Sequence, residues 1–185
     1  MNYNSEALAK VLSGLPSLVQ SPKRKVFISY HHENDQYWAN SLRSTHSEQY
    51  EVFYDNSLDD EVDSDDLDYV HRKIREDYIN GSSLTIVLCG AETHKRRFVD
   101  WEIYSTLHYE HALLEIVLPT LRPDMFNNIY VPARLNTNVK AGYAHLINWT
   151  NDGSFLKGQI EVALNKSKQT RLIDNTMLKM KRNVI

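Results

Sequence analysis

Three runs in this chain, "KVFISY", "SLTIVLCG" and "LEIVLPT", are apolar at nearly every position. A strand with one wet face alternates apolar and polar residues, whereas one that is apolar throughout must be covered on both faces. That is the condition of a parallel sheet held between two layers of helix. "YEVFYD" and "AHLINW" read as two further strands. Between the strands the period changes to that of helices. One follows Asn34 or Asp35 as a cap, through "QYWANSLRS"; one carries Leu67, Val70, Ile74 and Tyr78 on a single face and stops near "NGSS". A long helix, "THKRRFVDWEIYSTLHYEHA", has Thr93 as its candidate cap, and "GSFLKGQIEVALNK" forms the last. The chain is therefore read as an α/β protein.

The 185 residues suit one domain with additions at its ends. Residues 1–23 are expected to be an arm and linker: Leu8, Val11, Leu12, Leu15 and Leu18 recur at helical steps, and "PSLVQSPKRK" holds two prolines. The domain is assigned to residues 24–166. Residues 167–185 are expected to be a basic tail.

The composition excludes some classes. A formal net charge of -3 gives no general attraction to nucleic acid or to an anionic membrane, and neither is expected as a partner. No run approaches the roughly 18 apolar residues of a membrane span. Cys89 is the one cysteine, so no disulfide forms within the chain. The opening "MNYNSEALAK" lacks the charged-then-apolar layout of a secretory signal, and a cytoplasmic location is expected. Glycine is scarce, and neither the P-loop nor the dinucleotide fingerprint is present.

In open parallel sheets, ligands bind beyond the carboxyl ends of the strands, where the strand order reverses. Those ends are Ser29 to Asp35, Asp55 to Asp66, and Cys89 to Arg97. The acidic stretch from Asp55 to Asp68 lacks the glycine and glutamate of an EF-hand loop, so it is read as a solvated loop capping the next helix, with a weak divalent-ion site as the alternative. His108 and His111 lie three apart but complete no zinc pattern, and no metal is expected. His31 and His32 follow the first strand, where a ligand would sit. Cys89 reads as a small core residue. Glu102 stands among Phe98, Trp101 and Ile103, and shares a helix face with Phe98 and Ser105. The residues alone leave open whether it forms a surface ion pair with Arg96, Arg97 or a lysine, or serves a reaction.

Taken together, "KVFISYHHEND", "RRFVDWEI" and "PARLNTNVKAGYAHLINW" resemble the bacterial branch of the Toll/interleukin receptor (TIR) domain family found in the Thoeris antiphage system. The likeness runs from about Lys25 to Leu164. It implies a flavodoxin-like, three-layer fold around a central, mostly parallel five-stranded sheet. It also implies that Glu102 is the catalytic glutamate of an NAD-consuming enzyme that uses NAD as substrate and needs no cofactor. Breaking the nicotinamide–ribose bond builds positive charge on the sugar, which a fixed carboxylate stabilises. Attack by water gives ADP-ribose; internal attack gives a cyclic ADP-ribose isomer, the signal that in this branch activates a separate effector.

The same resemblance places Tyr30, His31, His32 and Asp35 along the nucleotide pocket, with Gly90 allowing close approach. Arg97, with Arg96, would face the pyrophosphate, and Phe98 keeps the ring of the family's usual tryptophan but not its indole N–H. Trp38 is a weaker candidate, and Trp101 is expected to be packing. A homo-oligomer and a phage-derived trigger complete the expected partners. Two other readings are carried: a non-enzymatic TIR module that acts by assembly, and a nucleoside deoxyribosyltransferase.

Overall fold

The wholly apolar runs sit where both sheet faces are covered. In the computed structural model, which describes residues 23–46, 50–53 and 77–184, the strands are β1 (Arg24–Ser29), β2 (Tyr50–Phe53), β3 (Leu84–Cys89), β4 (Ala112–Val117) and β5 (His145–Asn148). They form one sheet in the order β2-β1-β3-β4-β5, and every pairing is parallel. The order reverses between β1 and β3, so the crevice for a ligand lies beyond Ser29 and Cys89. The helices are α1 (His32–His46), α2 (Arg97–His108), α3 (Ala133–Lys140) and α4 (Gly153–Lys166). The arm, the acidic stretch 55–68 and the positions Leu67, Val70 and Ile74 lie outside the described residues. A helical turn at 77–80 precedes β3; it buries Ile79 and leaves Tyr78 41% exposed, so Tyr78 is not on its inner face.

The side chains of β3 divide by parity. Leu84, Ile86 and Leu88 join Val26 and Ile28 of β1, Leu42 of α1 and Leu156 and Ile160 of α4 in one apolar layer. Val87 and Cys89 point the other way, against Val99, Ile103 and Leu107 of α2 and Leu135 of α3. Val99, Ile103 and Leu107 recur at four-residue steps, which turns one stripe of α2 onto the sheet. These two layers with the sheet between them are the three layers expected.

Local details depart from the expectation. α1 begins at His32, which places Glu33 and Asp35 in its first turn instead of at its cap; acidic groups there complement the helix dipole. α2 begins at Arg97, and Thr93 opens a short 3-10 turn, Thr93–Lys95. α2 also ends at His108, so Ala112 starts β4 instead of closing the helix. α3 was not expected, because two of its three buried residues, Arg134 and Asn138, are polar and leave no apolar period to read. α4 has a well-made start: Asp152 Oδ1 accepts from Ser154 N at 2.9 Å and Phe155 N at 3.0 Å.

One residue strains the pattern. Glu115 lies mid-β4, only 1% exposed, opposite Val87 in the sheet register, and neither carboxylate oxygen has a hydrogen-bond partner. Burial raises its pKa to about 7, with a weak opposing pull from the neighbouring Cys89 thiol. The proton that keeps Glu115 neutral is bound more tightly in the fold than in the unfolded chain. Its contribution to stability is therefore complete below the ordinary value of 4.5, shrinks as pH rises, and is gone above about 7. Glu115→Gln cannot ionise and should remove this slope. Its urea-unfolding stability relative to the native chain is expected to improve by about 3 kcal/mol between pH 4.5 and pH 8. Parallel stability curves for the two proteins would show that Glu115 keeps its charge in the fold.

Candidate functional site

The site grows from the junction of β1 and β3. At the end of β1, Tyr30 donates its hydroxyl to Gln36 Oε1 at 2.9 Å, and its ring stacks on His32 at 5.2 Å. His31 turns inward and is 3% exposed. Burial lowers its pKa, assisted by the nearby Arg96 charge, so the imidazole is neutral at pH 7. Its Nδ1 has no hydrogen-bond partner, and Nε2 lies 3.8 Å from Glu33.

Asp35 is fully buried. Its carboxyl group stands against Gly90: a Cβ added there would lie 2.7 Å from the carboxyl carbon and closer still to both oxygens. Gly90 therefore makes room for Asp35, which is a demand of the fold itself. Thr93 locks the arrangement. Its Oγ accepts from Gly90 N at 2.8 Å, and its one proton is shared between Asp35 Oδ2 and the Leu88 carbonyl, each at 3.2 Å. Burial raises the Asp35 pKa to about 6, and the Thr93 hydrogen bond moderates the rise. Asn34 adds a second bridge between α1 and the β3–α2 connection by donating to Glu92 at 3.2 Å. Glu92 in turn pairs with Lys95 at 3.1 Å and Arg96 at 3.4 Å.

α2 carries the remaining candidates. Phe98 is 8% and Glu102 7% exposed, so Glu102 is not the surface residue that a solvated ion pair requires. Arg97 lies over the Phe98 ring, 4.6 Å from its centroid. A polar chain fixes the Glu102 backbone to the sheet. Thr106 donates its hydroxyl to the Glu102 carbonyl at 2.8 Å and so must accept the 2.7 Å bond from buried Thr85 of β3. At about 100° per residue, Asp100 and Glu102 lie about 160° apart around the helix. Asp100 meets α3 through Arg134 Nε at 3.0 Å, and Glu102 occupies the flank away from α3. Trp101 is half-buried against Phe98, and Trp38 packs edge-on to Trp149 at the rim of the first apolar layer.

The structure thus gathers Tyr30, His31, His32, Asp35 and Gly90 at the carboxyl ends of β1 and β3, beside the start of α2 with Arg97 and Phe98. Glu102 lies about a turn and a half down that helix. Sequence reasoning passed over Thr93 as a latch, the Asp100–Arg134 pair and Glu115. Glu115 had a visible signal, an acid inside an apolar strand; the ion pair spans 34 positions and had none. Among the described residues, no three His, Cys, Asp or Glu side chains converge as metal ligands, and no helix is long and apolar enough to cross a membrane.

A parallel sheet in this order, covered by helices on both faces, is a flavodoxin-like architecture, the one expected of a TIR domain. The family described as "Thoeris protein ThsB, TIR-like domain" matches residues 27–123, more than half of the chain, and the chain belongs to that family. Among solved structures the chain is similar to the TIR domains of the activated Roq1 resistosome directly recognizing the pathogen effector XopQ. The identity is 12%, over 81% of this chain and 83% of that one, with a TM-score of 0.41. No curated protein matches the chain.

The Asp35–Gly90 contact gives a direct test. Gly90→Ala should lower stability by about 1–3 kcal/mol, as overpacking of a buried site does. In the double variant Asp35→Ala, Gly90→Ala the loss should be smaller than the sum of the two single losses, because the Cβ then has space. Additive losses in thermal or urea unfolding would show that Gly90 serves something other than Asp35.

Proposed function

We propose that this TIR-like domain cleaves the nicotinamide–ribose bond of NAD and makes an ADP-ribose-derived signal, in a cyclic form, for a separate effector in antiphage defence. The observation that carries the reading is Glu102: a carboxylate 7% exposed, tethered to β3 through Thr106 and Thr85, in a chain of the Thoeris TIR family. Burying a carboxylate costs stability unless its surroundings support it, and a site that needs a fixed negative charge supplies a reason for it.

The chemistry requires little else. As the glycosidic C–N bond breaks, its electron pair passes to the ring nitrogen, so nicotinamide leaves neutral and the positive charge moves to the ribose. Glu102 stabilises that charge electrostatically, more strongly in a dry setting than in water. The incoming nucleophile, water or a group of the same nucleotide, bonds to the anomeric carbon and releases a proton if it carried one. His31, neutral at pH 7 and with an unpartnered Nδ1, has the chemistry to receive it. The crevice between Tyr30 and the start of α2 takes the nucleotide, with Arg97 toward its phosphates.

Glu102→Gln keeps the shape and removes the charge. Nicotinamide release, followed by mass spectrometry with protein at high concentration or taken from phage-infected cells, should fall at least 10²–10³-fold, while the melting temperature changes little. NAD left intact by both proteins would favour the non-enzymatic assembly reading. An unfolded variant would return Glu102 to a structural part.

A further inference from the structure

The segment that follows α4 does not trail away. From Asp174 to Val184 it runs back over the outer flank of α2 and along α3, and nearly every fastening is a hydrogen bond. Asn138 of α3 donates Nδ2 to the Asp174 carbonyl at 2.8 Å and accepts from Asp174 N at 3.0 Å. Asn175 accepts from Arg134 Nη1 at 2.8 Å and donates to the Tyr104 carbonyl at 3.1 Å. Arg134 Nη2 donates to the Leu178 carbonyl at 3.2 Å. Met180 N donates to Asp100 Oδ2 at 2.8 Å, and the Met180 carbonyl accepts from the Trp101 indole at 2.7 Å. Lys179 lies over the Tyr104 ring at 4.1 Å. At the far end, Asn183 Oδ1 accepts from Arg97 N at 2.9 Å, and Val184 N donates to the Lys95 carbonyl at 2.9 Å.

Two features of this attachment matter. The first residue of α2 has no cap from its own neighbourhood: Arg96, the residue before it, makes no side-chain cap bond. Asn183, 86 positions away, supplies an acceptor for the first of the N–H groups that a helix start leaves unpaired. In addition, the segment contributes little apolar burial, since Met177 is 39%, Leu178 90% and Val184 54% exposed. The segment is thus held mainly by polar bonds, several of them to the buried Asp100–Arg134 pair.

We propose that residues 174–184 form a positioning strap, with Asn183 as its key residue. The strap holds the first turn and outer flank of α2, and thereby fixes where Glu102 stands against the sheet. The strap touches the face of α2 opposite Glu102, so it acts through the helix and not on substrate. This inference rests on Glu102 being the working carboxylate; the existence of the strap does not.

The test uses the full chain with Asn183→Ala and Asn183→Asp, read by amide hydrogen exchange and by NAD turnover. In Asn183→Ala the amides from Arg97 to Trp101 should exchange about tenfold faster. The value of kcat should fall about tenfold with KM within twofold, and the melting temperature should move by only a few degrees. Asn183→Asp keeps an acceptor at the helix start and should restore both readouts. Unchanged exchange at α2 would overturn the strap as a positioning device, and so would faster exchange with unchanged kcat. If the native chain turns over no NAD, the reading of the site fails instead, and the exchange data alone decide whether the strap holds α2.

Discussion

A single carboxyl group, that of Asp35, occupies the place where this fold changes direction. It is fully buried, and it stands in the space that any side chain at position 90 would fill. Both connections that leave the reversal point therefore depend on it: the turn from β1 into α1, where Asp35 sits, and the turn from β3 toward α2, where Gly90 and Thr93 receive it. A ligand crevice at a strand reversal is a consequence of topology, and here the Asp35–Gly90–Thr93 contact joins the two connections that would flank it. The raised pKa of Asp35, about 6, shows what the placement costs: near neutral pH a buried group is asked to carry charge with one hydroxyl to support it.

α2 is the second dependent part, and it is held from both sides by polar bonds. Toward the sheet, Thr85 and Thr106 fix the Glu102 carbonyl. Toward solvent, Asp100 and Arg134 form a buried pair whose spare valences are taken up by Met180 N and the Leu178 carbonyl. Replacing a buried ion pair by apolar residues often leaves stability unchanged, whereas removing one partner is strongly destabilising. The pair is thus better understood as a registering device than as a source of stability. Its donors and acceptors are all satisfied only when α2, α3 and the C-terminal segment are each in place.

The parallel sheet, its five strands and its two covered faces were legible, because wholly apolar strands alternating with helices admit few other arrangements. The position of Glu102 on the helix after the third strand was legible too, but its burial was not, since the residues alone allowed a surface ion pair with Arg96, Arg97 or a lysine. The short α3 was not, since Arg134 and Asn138 face inward as hydrogen-bonding groups and no rule of apolar spacing finds them. The start of α2 was placed three residues early because Thr93 has the chemistry of a cap; its hydroxyl is used instead across the chain, on Asp35. The course of residues 167–184 was hidden for a related reason. A basic composition describes a solvated tail well, and nothing local in "DNTMLKMKRNV" states that its asparagines and main chain answer groups some 80 positions earlier.

The two faces of the sheet divide the work. The layer under α1 and α4 is apolar almost without exception, from Val26 and Ile28 through Ile86, Leu114 and Ile160. The layer under α2 and α3 holds several costly groups, Glu115 beside Cys89, the Thr85–Thr106 pair, Asp100 with Arg134, and Glu102 itself, and Asp35 and His31 are buried where β1 ends. Each is satisfied differently, by protonation, by hydrogen bonding or by an ion pair, and a core built for stability alone would use apolar residues at these positions. Marginal proteins tolerate such groups only where burial elsewhere offsets them. The apolar layer provides that burial, and concentrating the polar groups on one face keeps their mutual demands within reach of one another. The candidate site draws on both faces: Tyr30 belongs to the apolar layer, whereas Glu102 stands among the polar groups of the other.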